Sequence, residues 1–157
     1  MQVAGYEDLV EIGRGASAVV YRARHVALDR TVALKVLAGT LGDDERRRFR
    51  RECTAIAALG WHPRVVAVHD AGVSDEGHPW MAMEYLPGGS LARRVKDEGP
   101  LSAIEVAAIG IQAADALDAA HRQRIVHRDV KPGNLLQGHV GDVKLADFGI
   151  AKVDFEM

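Results

Sequence analysis

The stretch "IVHRDVKPGNLL", residues 125–136, places several chemically active side chains in one short loop. Asp129 can accept a proton from a hydroxyl group. Lys131 can neutralise a transferring phosphoryl group, and Asn134 can bind a metal ion. His127 alone is more often a packed histidine than a catalyst, and we assign it a structural role. Because an ordinary loop rarely combines these groups, the stretch predicts phosphoryl-transfer chemistry.

A second candidate lies downstream in "VKLADFG", residues 143–149. An apolar, strand-like run leads into Asp147, and Gly149 follows two residues later. A carboxylate placed directly after a buried strand is a candidate ligand for a metal ion such as Mg²⁺.

Upstream of the loop, residues 101–124, "LSAIEVAAIGIQAADALDAAHRQR", predict a long helix. Ser102 and Glu105 have the spacing of a capping box, with Ser at the N-cap and Glu at N3. The Ala-rich, mostly apolar surface predicts burial on several sides. "PGGSL", residues 87–91, is interpreted as a hinge before this helix. Three short strands are expected at 125–127, 134–137 and 143–147.

The first 85 residues predict five strands and one helix. Runs rich in β-branched and apolar residues lie at 6–15, 18–26, 30–37, 65–73 and 79–86. The helix is expected over 43–60, with Asp43 as its N-cap and an end set by Gly60 and Pro63. Its apolar residues recur at helical spacing on one face: Phe49, Cys53, Ile56 and Leu59. Composition shifts near residue 86 to a mostly helical piece, and a cleft between two such pieces is a natural ligand site.

The glycine-rich stretch "IGRGASAVV", residues 12–20, is a candidate phosphate-binding loop. Gly13 and Gly15 allow the backbone to bend and to approach an anion closely. A dinucleotide-binding loop would run into a helix, and a Walker loop would end in Gly-Lys-Ser/Thr. This loop runs into a strand, so it suits a glycine lid between two strands. A plain hairpin turn remains the alternative.

Lys35 in "VALKVL" is unusual because a lysine in an apolar strand is costly unless it is paired. Glu52 on the following helix can point inward and supply that anion. The alternative is an edge-strand lysine that reaches water. The neighbouring arginines are interpreted as a solvated face: Arg46, Arg47, Arg48, Arg50 and Arg51.

Composition narrows the class of protein. The chain has 157 residues, 48% of them hydrophobic, which suits one globular domain with a core. A net charge of -2 implies no general attraction to nucleic acid or acidic membranes. There is no membrane-length apolar stretch, no signal peptide at the N-terminus, and only one cysteine, Cys53. These features favour a cytoplasmic setting.

Four of these segments occur together in the order of the protein-kinase signature: "GRGASAVV", "VALK", "HRDVKPGN" and "DFG". The chain resembles the first part of a protein kinase catalytic domain of the bacterial, eukaryotic-like Ser/Thr type. "FRRE", "HPRVV" and "MEYLPGGSL" match it between the motifs. The resemblance implies an α+β fold. A five-stranded antiparallel N-lobe with one helix is expected at 1–85, and the hinge and beginning of a mostly helical C-lobe at 86–157.

The resemblance assigns ATP contacts to residues of both pieces. The glycine-rich loop would cover the phosphates with Ile12, Gly13, Arg14, Gly15, Ala16, Ser17, Ala18 and Val20. Ala18 replaces the usual third glycine, which is a mild departure. Lys35 would hold the α- and β-phosphates and Glu52 would hold Lys35. The adenine would meet Val20, Ala33, Leu136, the gatekeeper Met83 and backbone groups near Glu84 and Leu86.

The same resemblance implies the catalytic roles. Asp129 would orient and deprotonate the substrate hydroxyl, while Asn134 and Asp147 would hold Mg²⁺ between the phosphates. Lys131 in "HRDVK" is the pattern of Ser/Thr kinases. Arg128 beside the catalytic aspartate implies control by a phosphorylated activation loop. The expected partners are ATP and a protein substrate with a Ser or Thr hydroxyl.

Two other functions compete with a Ser/Thr kinase. A non-catalytic nucleotide-binding or docking module is the main alternative, because motifs that follow "DFG" in kinases do not occur in residues 150–157. Phosphate transfer to a small molecule is disfavoured by "VKPGN" together with "DFG". Without later helices, the long helix 102–124 should expose an apolar patch, and weak Mg-ATP binding with little peptide phosphorylation is expected.

Overall fold

The computed structural model describes residues 1–139 and 141–148. Gly149 of "DFG" and residues 150–157 lie outside the described residues. The described chain divides into two compact units. The N-terminal unit comprises Met1–Ala57 and Ala67–Tyr85, and the C-terminal unit comprises Ala58–Val66 and the described residues from Leu86 onward.

The N-terminal unit contains a five-stranded sheet in the order β1-β2-β3-β5-β4. Every neighbouring pair is antiparallel, which confirms the predicted sheet. The strands are β1 Tyr6–Arg14, β2 Ala18–His25, β3 Arg30–Leu37, β4 Val68–Val73 and β5 Pro79–Glu84.

Alternation along β3 separates the two faces of this sheet. Val32, Leu34 and Val36 point to a buried cluster that also contains Trp80 and Tyr6. The Tyr6 hydroxyl donates to Asp70 Oδ2 at 3.3 Å, and burial followed by the Asp70 charge raises the pKa of Tyr6 to about 12. Because side chains alternate in a strand, Ala33 and Lys35 lie on the opposite face.

Helix α1, Asp43–Ala57, packs in the N-terminal unit through an apolar stripe. Phe49, Cys53 and Ile56 are buried, as their spacing predicts. Burial, followed by the charge of Glu52, raises the pKa of the Cys53 thiol to about 12. Asp43 is the first helical residue rather than the N-cap, since the Gly42 carbonyl already accepts from the Arg46 N–H at 2.9 Å.

The end of α1 corrects the predicted boundary. The helix stops at Ala57, three residues before Gly60. Leu59 is fully buried, but it lies in the turn after the helix, where its carbonyl accepts from the His62 N–H at 3.0 Å. The turn therefore starts earlier than the glycine signal indicates.

The C-terminal unit contains two helices, a short 3-10 turn and a small hairpin. These elements are α2 Leu91–Glu98, α3 Ala103–Arg122, the turn Pro132–Asn134, β6 Leu135–Gln137 and β7 Val143–Leu145. The sequence interpretation missed α2, although Ser90 caps it by accepting from the Arg93 N–H at 3.2 Å and Gly99 ends it with a φ of 90°.

The predicted strand at 125–127 is wrong. The Ile125 N–H donates to Ala120 O at 3.0 Å, which closes the end of α3 instead of pairing with a strand. The predicted strands within 134–137 and 143–147 are confirmed as the antiparallel pair β6–β7.

Helix α3 has one buried edge and a large exposed surface. Ser102 accepts from the Glu105 N–H at 3.2 Å, but the Glu105 carboxylate pairs with Arg94 at 2.9 Å instead of completing a capping box. The buried residues of this helix are three alanines, Ala116, Ala119 and Ala120. Ile104 is 83% exposed and Ile111 72% exposed. The prediction that this helix is buried on several sides is therefore wrong, and the expected exposed apolar patch is confirmed.

None of the helices in the described part of the chain has the length and apolar character needed to span a bilayer.

Candidate active site

His127 anchors the loop that carries the predicted catalytic residues. The ring is 1% exposed and lies 4.7 Å from the Phe148 ring between centroids. Its Nε2 donates to Ala146 O at 2.7 Å, and its Nδ1 accepts from the Asp129 N–H at 3.1 Å. A carbonyl can only accept and an amide N–H can only donate, so these partners fix the tautomer. His127 thus has the structural role that the sequence indicates.

The Asp129 carboxylate is held by the two side chains predicted to act with it. Its Oδ2 lies 3.1 Å from Lys131 Nζ and accepts from Asn134 Nδ2 at 3.1 Å. Lys131, and then Asn134, lower the pKa of Asp129 below its ordinary value. The side chain is 54% exposed. The result is an ionised carboxylate that is fixed in position and open to an approaching hydroxyl.

Asn134 links this loop to the segment that leads into Asp147. It is buried at the end of the 3-10 turn, and its Nδ2 also donates to Asp129 O at 2.7 Å. Its backbone carbonyl accepts from the Ala146 N–H at 2.8 Å. Since Ala146 directly precedes Asp147, these bonds bring Asp129, Asn134 and the Asp147 backbone into one neighbourhood.

Two of the five non-glycine residues with positive φ in the described part of the chain lie beside these groups. Arg128 has a φ of 71° and Asp147 a φ of 61°, both in the left-handed region that side chains with a Cβ rarely adopt. Such conformations persist where surrounding structure over-determines them, commonly at functional sites. Here the buried His127 and Asn134 bonds supply that constraint.

The oxygen donors of Asn134 and Asp147 fit Mg²⁺. The Asn134 Nδ2 is committed to Asp129, which leaves the amide oxygen for another partner. In the described part of the chain, no group of three or more His, Cys, Asp or Glu residues forms a metal cage. Mg²⁺ is commonly held by one or two protein oxygens together with substrate phosphates and water, so this donor set suits it.

In the N-terminal unit, strand register places four predicted ATP residues on one face of the sheet. Val20 lies opposite Lys35, and Ala33 lies opposite both Arg22 and Met83. Directly opposed residues, and residues two apart in a strand, share a face. Val20, Ala33, Lys35 and Met83 therefore face away from the buried cluster around Leu34.

The glycine-rich loop forms the tip of the β1–β2 hairpin. The Gly15 N–H donates to Ala18 O at 2.8 Å, and Gly13 pairs with Val20. Neither glycine has a positive φ, and a Cβ on either would meet nothing nearer than 3.8 Å. The fold therefore does not require glycine at these two positions, which favours the close approach of a ligand as their reason.

The Glu52 carboxylate has a partner on its own helix. Glu52 Oε1 lies 3.4 Å from Arg48 Nε, one turn earlier on α1. Its Oε2 is buried and has no hydrogen-bond partner among the described residues. The pairing of Lys35 with Glu52 stays a prediction.

The proposed adenine-edge residues are fixed by backbone bonds. The Glu84 N–H donates to Ala67 O at 2.9 Å. In the C-terminal unit, Leu86 O accepts from the Gly89 N–H at 3.3 Å, and Leu136 in β6 pairs with Lys144 and bridges to Ser90. Sequence reasoning did not single out Gln137, which contacts this turn. The glycine pair in "PGGSL" was the available signal.

Comparisons with known proteins extend over nearly the whole chain. The family model for the protein kinase domain matches residues 6–154. Serine/threonine-protein kinase PknK of Mycobacterium tuberculosis is 45% identical over 150 residues, which cover 96% of this chain and 14% of PknK. Serine/threonine-protein kinase PrkC of Bacillus subtilis is 41% identical over 148 residues, covering 93% of this chain and 22% of PrkC.

Solved structures give the same match in three dimensions. The crystal structure of the M. tuberculosis PknI kinase domain superposes with a TM-score of 0.82 at 40% sequence identity. The match covers 95% of this chain and 60% of the PknI chain. The chain thus spans less than a quarter of PknK and PrkC, and 60% of the solved PknI kinase-domain chain.

Proposed function

Because the chain belongs to the protein kinase family, we propose that it supplies the ATP- and Mg²⁺-binding part of a Ser/Thr protein kinase. The reaction moves the γ-phosphoryl group of ATP to a Ser or Thr hydroxyl of a protein. The observation that carries this proposal is the direct contact of Asp129 with Lys131 and Asn134. We further propose a cytoplasmic setting, a protein substrate and no nucleic-acid partner.

Asp129 is proposed to orient the substrate hydroxyl. Its lowered pKa keeps it ionised, so it accepts a hydrogen bond from the hydroxyl and takes the proton as the new O–P bond forms. Lys131 then faces the negative charge of the transferred group. Since phosphoryl transfer relies on positioning and charge stabilisation, a fixed carboxylate–lysine pair fits this task.

Asn134 and Asp147 are the proposed Mg²⁺ ligands. When bound, Mg²⁺ neutralises charge on the phosphates. Lys35 would contact the α- and β-phosphates from its face of the sheet, with Val20, Ala33 and Met83 beside the adenine. Leu136 and the backbone near Glu84 and Leu86 complete the proposed adenine contacts.

A non-catalytic nucleotide-binding or docking module is the second candidate. It is favoured by Glu52, whose carboxylate lies against Arg48, although the kinase mechanism requires it at Lys35. The two candidates differ in whether bound ATP is consumed.

Nucleotide binding and transfer are tested separately. Mg-ATP should raise the melting temperature of the chain, and Lys35→Ala should abolish the rise while Lys96→Ala, on the exposed surface of α2, preserves it. Phosphate transfer to a generic Ser/Thr substrate should fall about 10²- to 10⁴-fold in Asp129→Asn. Binding without transfer supports the docking module, and transfer that survives Asp129→Asn refutes the role of Asp129.

A further inference from the structure

Gln137 of strand β6 holds the turn over residues 86–90 through two hydrogen bonds. The Gln137 N–H donates to Gly89 O at 2.8 Å, and its side-chain Nε2 donates to Gly88 O at 3.1 Å. Ser90, the next residue, forms a bridge with Leu136. Backbone and side chain of Gln137 thus hold two consecutive carbonyls of the turn.

Gly88 allows this close contact. A Cβ on Gly88 would lie 2.7 Å from the Gln137 carbonyl oxygen and 2.9 Å from Gln137 Cβ. The first obstacle is backbone that belongs to the β6–β7 hairpin, so it cannot move aside cheaply. A larger residue would therefore separate the turn from β6.

Arg94 fixes the orientation of the Gln137 amide. Its Nη1 lies 3.4 Å from Gln137 Oε1, so the amide oxygen faces a donor and Nε2 faces the Gly88 carbonyl. Arg94 is itself held by Glu105 at 2.9 Å and Glu98 at 3.2 Å. The side chain of Gln137 is consequently locked from α2 as well as from the turn.

We propose that Gly88 and Gln137 form a latch that positions the adenine edge of the nucleotide site. The latch connects Leu86, whose carbonyl accepts from the Gly89 N–H, to Leu136, the neighbour of Gln137 in β6. It thereby sets the distance between two proposed adenine contacts, the backbone at Leu86 and the side chain of Leu136. This proposal rests on the proposed function, and Gln137 is a positioning residue that touches no reacting atom.

A purely structural role is the competing explanation, and Gln112 provides a matched comparison. Gln112 also makes two side-chain hydrogen bonds to the β6–β7 hairpin, to Gly141 O at 2.8 Å and from the Val143 N–H at 2.9 Å. Val143 pairs with Gln137 across β6–β7, but neither Gln112 bond involves a residue of the 86–90 turn. Loss of Gln112 therefore weakens the same hairpin while the bonds of Gln137 to Gly88 and Gly89 remain.

The experiment measures the dissociation constants of Mg-ATP and of adenosine for the 157-residue chain by calorimetry. Gln137→Met keeps the side-chain length but removes the two side-chain hydrogen bonds, to Gly88 O and from Arg94, and retains the backbone bond to Gly89 O. We expect it to weaken both ligands by about three- to tenfold, as for the loss of one or two hydrogen bonds. Gln137→Glu should weaken them similarly, because its carboxylate accepts from Arg94 but cannot donate to Gly88. Gln112→Met should lower the melting temperature yet leave both constants within about twofold.

The possible outcomes distinguish failure of the latch from failure of the proposed function. Equal weakening of ligand binding by Gln112→Met and Gln137→Met would mean that Gln137 contributes only to the general stability of the unit. Unchanged binding in Gln137→Met, with wild-type binding intact, would overturn the latch alone. Failure of the wild-type chain to bind Mg-ATP would overturn the proposed function, and the latch with it. Weaker ATP but unchanged adenosine binding would also reject it, since the latch acts on the adenine.

Discussion

In the C-terminal unit, Asp129, Lys131 and Asn134 contact one another directly, whereas in the N-terminal unit Lys35 and Glu52 belong to separate elements, a strand and a helix. The first group is held in place by hydrogen bonds that join the buried His127 and Asn134 to the Ala146 backbone. The second group depends on how α1 packs in the N-terminal unit, where the Glu52 carboxylate contacts Arg48.

The two groups differ in the free energy needed to rearrange them. Moving Asp129 requires breaking several hydrogen bonds, three of them with the buried His127 and Asn134, and each buried group left unpaired carries a penalty of about 1–3 kcal/mol. Moving Glu52 requires the loss of a half-exposed pair with Arg48, which is worth little. We therefore infer that the C-terminal group is built in advance and that the Glu52 position is adjustable.

The largest effect is expected from His127→Ala. The substitution removes an almost fully buried ring, its contact with Phe148 and two hydrogen bonds, so unfolding free energy should fall by about 2–4 kcal/mol. Chemical denaturation measures this change. His69→Ala in β4 is the control, since His69 is exposed, and it should cost less than about 0.5 kcal/mol. Similar losses of unfolding free energy in His127→Ala and His69→Ala would contradict the inference that the loop is built in advance.

A smaller effect, with opposite signs in two measurements, is expected from Glu52→Gln. The substitution removes the charge at the buried Oε2, which has no hydrogen-bond partner among the described residues. The chain without nucleotide should therefore become slightly more stable, by about 0.5 kcal/mol or less given the partial exposure of Glu52. The same change should weaken Mg-ATP binding if Glu52 moves to Lys35 when nucleotide binds.

Thermal unfolding with and without Mg-ATP checks both signs. Glu76→Gln, on the exposed turn before β5, is the matched control and should alter neither. A loss of stability in Glu52→Gln without nucleotide would show that the Arg48 contact matters, and unchanged nucleotide affinity would argue against movement to Lys35.

The same contrast explains how much could be predicted from the sequence. The five strands and α1 follow from alternation and helical spacing, and the Asp129 group follows from residues within one short segment. The Lys131 and Asn134 contacts are local, so their spacing already constrains them. The position of Glu52 depends on the packing of a whole helix, which spacing along the chain does not determine.

Three departures from the sequence interpretation each have a physical reason. Helix α2 is short, with only Leu91 buried, so its apolar pattern is weak and its Ser90 and Gly99 caps carry the signal. Gln137 acts through backbone carbonyls of a distant turn, and carbonyls have no signature in the sequence. The burial expected for α3 failed because its apolar residues Ile104 and Ile111 face outward in this chain.

The smallest effect is expected from Lys131→Met, which removes one member of the Asp129 group. Lys131 is the first cause of the lowered pKa of Asp129, so the pKa should rise toward its ordinary value of about 3.9 in the variant, as an NMR titration of the carboxyl would measure. A lowered folded-state pKa contributes stability above the unfolded-state value and loses it as pH falls through the folded-state pKa. The stability difference between wild type and Lys131→Met should therefore be present at neutral pH and fade below about pH 4. Lys96→Met on α2 should leave the titration unchanged, and an unshifted Asp129 in Lys131→Met would mean that Asn134 and the backbone, rather than the lysine, hold this carboxylate ionised.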